Sequence, residues 1–181
     1  MHAVRLPCVF GVADERLDEA LAELRPRLVV GLGLAGGRAE WTPERVAINL
    51  DDARIPDNAG RQPIDLPVVP DGPDAYFSTL PLKAIVHALR AANLPASVSY
   101  TAGTFVCNHV FYALMHRLAT RPELAGVRGG FVHVPFLPEQ AVARPGLPSM
   151  ALTTQIDALR MLLHTALTIE VDLREGGGRL N

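Results

Sequence analysis

Cys107 stands in the stretch Ser99-Tyr100-Thr101-Ala102-Gly103-Thr104-Phe105-Val106-Cys107-Asn108, where a short strand-like run ends in a Gly-Thr turn and an apolar-striped helix begins. A thiol in the first turn of a helix meets unpaired backbone N–H groups and the positive end of the helix dipole, which favour thiolate over thiol. The thiolate is the form that attacks carbonyls. Cys107 is therefore a candidate nucleophile, and the chain a candidate cysteine hydrolase.

Such a sulfur needs a base within hydrogen-bond reach, and a third group to orient that base. The chain has six histidines. His109 is two positions from Cys107 on the same helix, and residues at i and i+2 do not face each other. His116, nine positions on, lies about half a turn from the Cys107 face. His87 shares a polar stripe with Lys83, and His164 follows Asp157 and Arg160 on the polar face of the last helix, so both read as solvated. His2 is at a terminus. His133 remains, in the apolar strand Phe131-Val132-His133-Val134 closed by Pro135, where a side chain points into the crevice in which open α/β sheets bind ligands. For the orienting carboxylate, Glu40, Glu44, Asp51, Asp52, Asp57 and Glu139 all lie in loops or at strand ends, and spacing does not choose among them.

The elements that must position these groups are legible as periodicities. Val4–Phe10 reads as a strand that buries Cys8 as a small hydrophobe. Asp14–Arg25 reads as a helix with Leu17, Ala20, Leu21 and Leu24 on one face, closed by Pro26. Leu28–Leu32 is a continuous apolar run of the kind buried in a parallel sheet. Arg45–Leu50 alternates apolar residues at Val46, Ile48 and Leu50. The Pro-rich stretch Ile55–Asp74 predicts a long loop. A helix over Thr79–Asn93 presents Leu82, Ile85, Val86 and Leu89 and stops before Pro95. Ala96–Tyr100 follows as a strand, then a helix over Phe105–Ala119 opened by Thr104. Gly130–Val134 is a further strand. A second Pro-rich loop runs through Pro148, Ser149 caps a helix to about Ile169, and the glycine-bearing tail 175–181 is expected to be flexible. Strands alternating with helices predict an α/β fold, with an open, twisted, mostly parallel mixed sheet covered on both faces.

Length and composition agree with one domain over residues 1–181, 49% hydrophobic and with a formal net charge of −2. No Lys/Arg cluster points to nucleic acid, and no apolar run approaches the roughly 18 residues of a membrane span. The two cysteines, Cys8 and Cys107, lack metal-ligand spacing, and Met1-His2-Ala3-Val4-Arg5 lacks the blocks of a signal peptide. A reducing cytoplasm is the expectation, with no metal or other cofactor.

Gly31-Leu32-Gly33-Leu34-Ala35-Gly36 matches G-x-G-x-x-G after a strand, with Asp51 twenty residues after Gly31. A dinucleotide site needs a helix opening at the last glycine. Gly37 and Pro43 argue against that helix, so the glycines are read as letting the backbone approach something small. HExxH, GxSxG and a P-loop are absent.

The chain resembles the pyroglutamyl-peptidase I (pyrrolidone carboxyl peptidase) family. The resemblance is carried by Gly33-Leu34-Ala35-Gly36-Gly37-Arg38, Pro43-Glu44-Arg45-Val46-Ala47-Ile48-Asn49, Asp52-Ala53-Arg54-Ile55-Pro56-Asp57-Asn58 and Ala75-Tyr76-Phe77-Ser78-Thr79-Leu80-Pro81. Residues 99–109, Gly129 to Pro135 and Leu137-Pro138-Glu139-Gln140 complete it. It implies an α/β/α sandwich, often assembled as a tetramer, and a cytosolic cysteine exopeptidase that removes an N-terminal pyroglutamate from peptides. It also implies Cys107 as nucleophile, His133 as its histidine, Glu44 as the orienting carboxylate, and Leu34, Ile55, Phe105 and Val106 in the substrate pocket. Family members usually carry a strand, a Gly-Phe-Glu-Pro-Phe-Gly-Gly-like loop and a helix ahead of the Val4–Phe10 equivalent. That comparison implies an absence of about 35 residues here, roughly one strand-loop-helix unit. The expectation drawn from it is a weakly active or inactive remnant that keeps the fold. It fails if these 181 residues turn over a pyroglutamyl amide as fast as an extended chain.

Overall fold

A computed structural model describes residues 1–177. The elements in order are α1 (Val12–Leu24), β1 (Leu28–Leu34), β2 (Thr42–Pro43), β3 (Val46–Ile48), β4 (Ala75–Phe77), α2 (Leu82–Ala91) and α3 (Val106–Thr120). A 3₁₀ turn (Pro122–Leu124), β5 (Arg128–Val134), α4 (Pro138–Ala141) and α5 (Leu152–Thr168) follow. The chain divides into two compact units, the first comprising residues 1–31, 46–78 and 101–130, the second the remainder.

In the first unit α1 packs on α3 through Leu17, Leu21 and Leu114, in a cluster completed by Leu124 of the 3₁₀ turn, with Leu6, Val29, Leu118 and Val127 against them. Truncating a buried leucine of such a cluster to alanine costs about 2–5 kcal/mol. Arg25 ends α1 in a left-handed conformation, φ 42°, and Pro26 cannot extend the helix. β3 pairs antiparallel with β4, Ala47 opposite Tyr76.

In the second unit α2 packs on α5, and Ile85, Leu89, Leu162 and Ala166 are fully buried. The open N-terminus of α2 is capped from far along the chain: Asp172 accepts from the N–H of Lys83 (3.2 Å) and of Ala84 (2.9 Å). A carboxylate there satisfies free donors and matches the helix dipole.

The main sheet has the order β1-β5-β2. Arg128 N–H donates to Arg27 and Ala35 N–H to Val134, so β1 and β5 run parallel. β2 is antiparallel to β5, with Thr42 opposite His133 and Pro43 opposite Val132. Residues 95–99 lie along the other edge of 41–45 as a parallel ladder, in which Trp41 donates to Pro95, Ser97 to Trp41, Ser99 to Pro43 and Arg45 to Ser99. The sheet is mixed, as its sequence pattern implies.

Several elements differ from the sequence expectation. Val4–Phe10 is not a strand. Pro7 cannot join a ladder, and the hydrogen-bonding groups that follow go to a loop instead: Phe10 N–H to Asp57, Phe10 carbonyl to Arg61, Cys8 carbonyl to Asn58. Cys8 is accordingly exposed rather than buried. β1 is the end strand, and Leu32 and Leu34 on one of its faces remain 47% and 45% exposed, so its apolar run is not a doubly covered one. In β3 Ala47 is buried while Val46 and Ile48 are half-buried, because both faces are partly covered and alternation alone does not mark the inner one. α2 begins at Leu82 rather than Thr79, with Pro81 as its N-cap, since a proline disfavours a helical conformation in the residue before it. Neither Thr104 nor Ser149 caps a helix. Thr104 donates to the Asp52 carbonyl, and Ser149 bridges Phe136, which delays α5 to Leu152. The second Pro-rich loop contains the single turn α4. Of the tail, residues 178–181 lie outside the described residues; the carbonyl of Glu175 accepts from Lys83 Nζ and that of Gly177 from the Tyr100 hydroxyl. Among the described residues no helix is long and apolar enough to cross a membrane.

Candidate active site

Gly103, at φ 80°, makes the left-handed turn that ends the extended run, a conformation glycine adopts without a Cβ penalty. Phe105 is the N-cap of α3, so Val106 and Cys107 are its first two helical residues. Cys107 is half-buried and in no disulfide. The first turn holds no acidic side chain, so it adds no negative charge of its own against a thiolate at the helix dipole. Val106 is buried; Phe105 is half-buried, its ring edge-on to Phe10 at 5.4 Å between centroids. Ile55, also in the first unit, is exposed, as is Leu34 in the second.

His133 and Glu44 are brought together in the second unit. Glu44 N–H pairs with the Phe131 carbonyl, two strand positions from the Thr42–His133 pair and so on the same face. From there Oε1 of Glu44 accepts from Nδ1 of His133 at 2.7 Å. Glu44 is fully buried, His133 nearly so, and the Phe131 ring stands edge-on to the imidazole. A carboxylate on Nδ1 fixes the proton there and leaves Nε2 for proton transfer. Of the six carboxylates left open by spacing, Glu44 is the one on His133. Asp51 holds His109, Glu40 accepts from Ser97, and Asp57 organises its own loop.

A buried carboxylate needs compensation. Arg38 supplies it, donating through Nη1 to the same Oε1 at 2.7 Å and to the Thr42 hydroxyl at 2.6 Å. Oε2 of Glu44 is buried and unpaired. Periodicity did not single out Arg38. The signal was its place after Gly36 and Gly37, where the backbone is forced close: a Cβ on Gly36 would meet the Phe136 ring at 2.7 Å. Gly31 and Gly33 lie inside β1 with no helix opening at Gly36, as the rejection of a dinucleotide fingerprint requires. Among the described residues no cluster of three His, Cys, Asp or Glu could hold a metal ion.

The remaining histidines divide. His87 and His164 are exposed, as expected. His116 accepts or donates at Tyr76 (3.0 Å), and burial with Arg117 and Arg121 nearby holds it below its ordinary value. His109 is buried in the first unit between two carboxylates, Nδ1 at 2.7 Å from Asp51 and Nε2 at 3.3 Å from Asp14. Burial opposes its charge, but hydrogen bonds and Coulomb attraction from Asp14 and Asp51 outweigh that and push it up to about 9. Gly11 N–H also points at Nε2, 3.2 Å away; it can donate only to a neutral ring, and two carboxylates against one amide favour the cation. The value is raised from 6.5 to about 9, so this stabilisation is fully present below pH 6.5 and is lost as pH rises through about 9. We expect denaturant-derived stability to decline over that window, by on the order of a few kcal/mol, and the decline to shrink in His109→Gln. A parent profile flat from pH 6.5 to 9.5 would contradict it.

The family profile described as pyroglutamyl peptidase matches residues 1–169. The chain is 63% identical over 179 residues to the pyrrolidone-carboxylate peptidase of Cupriavidus taiwanensis, spanning 99% of this chain and 82% of that one. It is 60% identical over 176 residues to the pyrrolidone-carboxylate peptidase of Klebsiella pneumoniae, spanning 97% and 81%. The crystal structure of pyroglutamyl peptidase I from Bacillus amyloliquefaciens superposes with a TM-score of 0.91 at 44% identity, covering 94% of this chain and 80% of that one. A mutant pyrrolidone carboxyl peptidase from the hyperthermophile Pyrococcus furiosus gives 0.85 at 42% identity, covering 90% and 79%. The fold is thus the α/β fold of these peptidases. The chain belongs to the pyroglutamyl peptidase family and is a cysteine-type peptidase.

Proposed function

We propose that the chain hydrolyses the bond after an N-terminal pyroglutamyl (5-oxoprolyl) residue of peptides. The observation that carries this reading is the buried 2.7 Å contact of His133 with Glu44 in a chain of this family. Cys107 attacks the pyroglutamyl carbonyl, forming a C–S bond. The tetrahedral oxyanion is met by backbone N–H groups at the start of α3. Nε2 of His133 takes the thiol proton as the sulfur attacks and passes it to the leaving amine as the C–N bond breaks; water then attacks the thioester, the C–S bond breaks, and free pyroglutamate leaves as the thiol is restored. Glu44 orients the imidazole and stabilises its charged form, and Arg38 holds the same carboxylate oxygen in place.

Leu34, Ile55, Phe105 and Val106 line the lactam pocket in this reading, which the family resemblance supports. The lactam is uncharged, whereas an N-terminal proline carries an ammonium that an apolar pocket leaves unpaired. Pyroglutamyl-aminomethylcoumarin should therefore be cleaved at least about 10³-fold better in kcat/KM than prolyl-aminomethylcoumarin, since an unpaired buried charge costs several kcal/mol. Comparable rates would remove the assignment. The family resemblance also supports a cytoplasmic homotetramer, which light scattering on the purified chain tests.

A further inference from the structure

Three residues around Cys107 on the rim of α3, Thr104, Asn108 and His109, are all bonded to one stretch of the first unit, Ile48 to Asp52. Asn108 is fully buried. Its Oδ1 accepts from Ile48 N–H at 3.0 Å, and its Nδ2 donates to the carbonyls of Ile48 at 2.9 Å and Leu50 at 3.1 Å. The carboxamide meets both main-chain groups of Ile48, as the peptide of a neighbouring strand would. The Thr104 hydroxyl donates to the Asp52 carbonyl at 2.7 Å, and Asp52 N–H returns to the Thr104 carbonyl at 3.0 Å. His109 holds Asp51 between them.

Apolar packing is non-directional, so a helix held by it alone can slide or turn at little cost. Hydrogen bonds forbid both, because they weaken steeply with angle. Only asparagine has the reach and the three matched valences here. Aspartate would aim a carboxylate at two carbonyls, and alanine would leave three main-chain groups short of a partner.

We propose that Asn108 is a positioning residue for the Cys107 sulfur: its carboxamide, with the Thr104 hydroxyl, sets the height and rotation of the first turn of α3 against Ile48–Asp52. The inference rests on Cys107 being the nucleophile. A misplacement of about 1 Å costs on the order of 10²-fold in rate, so a clamp adjoining the sulfur acts on kcat rather than on substrate binding.

The test compares Asn108→Ala with Leu21→Ala, which lowers stability from the α1–α3 core away from the first turn. Both are assayed on a pyroglutamyl amide and normalised to the folded fraction by circular dichroism. Asn108→Ala should lose about 10²-fold in kcat, keep KM within about threefold, and show a changed pH profile for alkylation of Cys107 by iodoacetamide. Leu21→Ala should keep kcat within about threefold. Equal kcat per folded molecule in the two variants, with an unchanged alkylation profile, overturns the proposal. If Asn108→Ala does not fold, Thr104→Val decides: a kcat about tenfold down at unaltered melting temperature supports the clamp, and a kcat within twofold of the parent overturns it. Full turnover in Cys107→Ser would instead remove the nucleophile assignment, while the alkylation profile still reports on the clamp.

Discussion

Replacing Cys107 by serine should lower kcat on a pyroglutamyl amide by at least about 10³-fold, with fold and KM retained, because losing one member of a nucleophile–base unit removes nearly the whole unit. The side chains are nearly isosteric, so the loss reads chemistry. A serine hydroxyl ionises far less readily than a thiol, and the positive end of α3 cannot make up that gap. Iodoacetamide should label Cys107 ahead of Cys8 even though Cys8 is the more exposed, since partial burial and the Asp57 carboxylate push the Cys8 thiol above its ordinary value. Peptide mapping of the labelled protein and single-turnover kinetics of the serine variant check both statements. A serine variant within tenfold of the parent, or Cys8 labelled first at neutral pH, defeats the assignment.

The second large effect is expected from Glu44→Gln. Arg38 and His133 both bond the same oxygen, Oε1, and Oε2 is unpaired. A glutamine with its oxygen in the Oε1 place keeps both hydrogen bonds and the imidazole tautomer, and loses only the charge. What remains is a guanidinium and an imidazole sharing one neutral acceptor, which disfavours the imidazolium formed as His133 acts as a base. We expect kcat to fall about 10²–10³-fold, less than where the tautomer is also lost. Arg38→Met in the Glu44→Gln background should recover part of that loss, a non-additivity expected of groups in one network. Steady-state kinetics of the two single variants and the double variant give the answer. A glutamine variant within threefold of the parent would show that charge at this position does not matter to turnover.

What the sequence discloses about this site divides by the range of the interaction. Cys107 was legible because a turn, a capping region and a helix face are local. His133 followed by elimination, since four rivals sit on helix faces that geometry sets aside and His2 is terminal. Glu44 was not distinguishable from five other carboxylates, because its choice depends on the pairing of β2 with β5, which brings residues 42 and 133 opposite across half the length of the chain. Arg38 is only six residues from Glu44, but its role follows only once Glu44 is known to be the buried carboxylate on His133. Helix geometry sets His109 aside as a partner for Cys107, but its burial between Asp14 and Asp51 involves two remote segments that local patterns do not reveal. Val4–Phe10 shows the opposite error: composition suggested a strand, and Pro7 with the Asp57 loop decided otherwise. Thr104 and Ser149 have cap chemistry, but each found a competing partner two residues or more outside its helix.

The antiparallel contact that sets Glu44 against His133 is only two residues long on the β2 side. Successive side chains in a strand face opposite ways, so inserting or deleting one residue between Thr42 and Glu44, or between Phe131 and His133, would turn carboxylate or imidazole to the wrong face. The Pro-rich stretch from Val142 to Pro148 carries no such parity. Changes in chain length across homologues, and insertions made by an engineer, should therefore accumulate there and be excluded from the few residues around the buried pair.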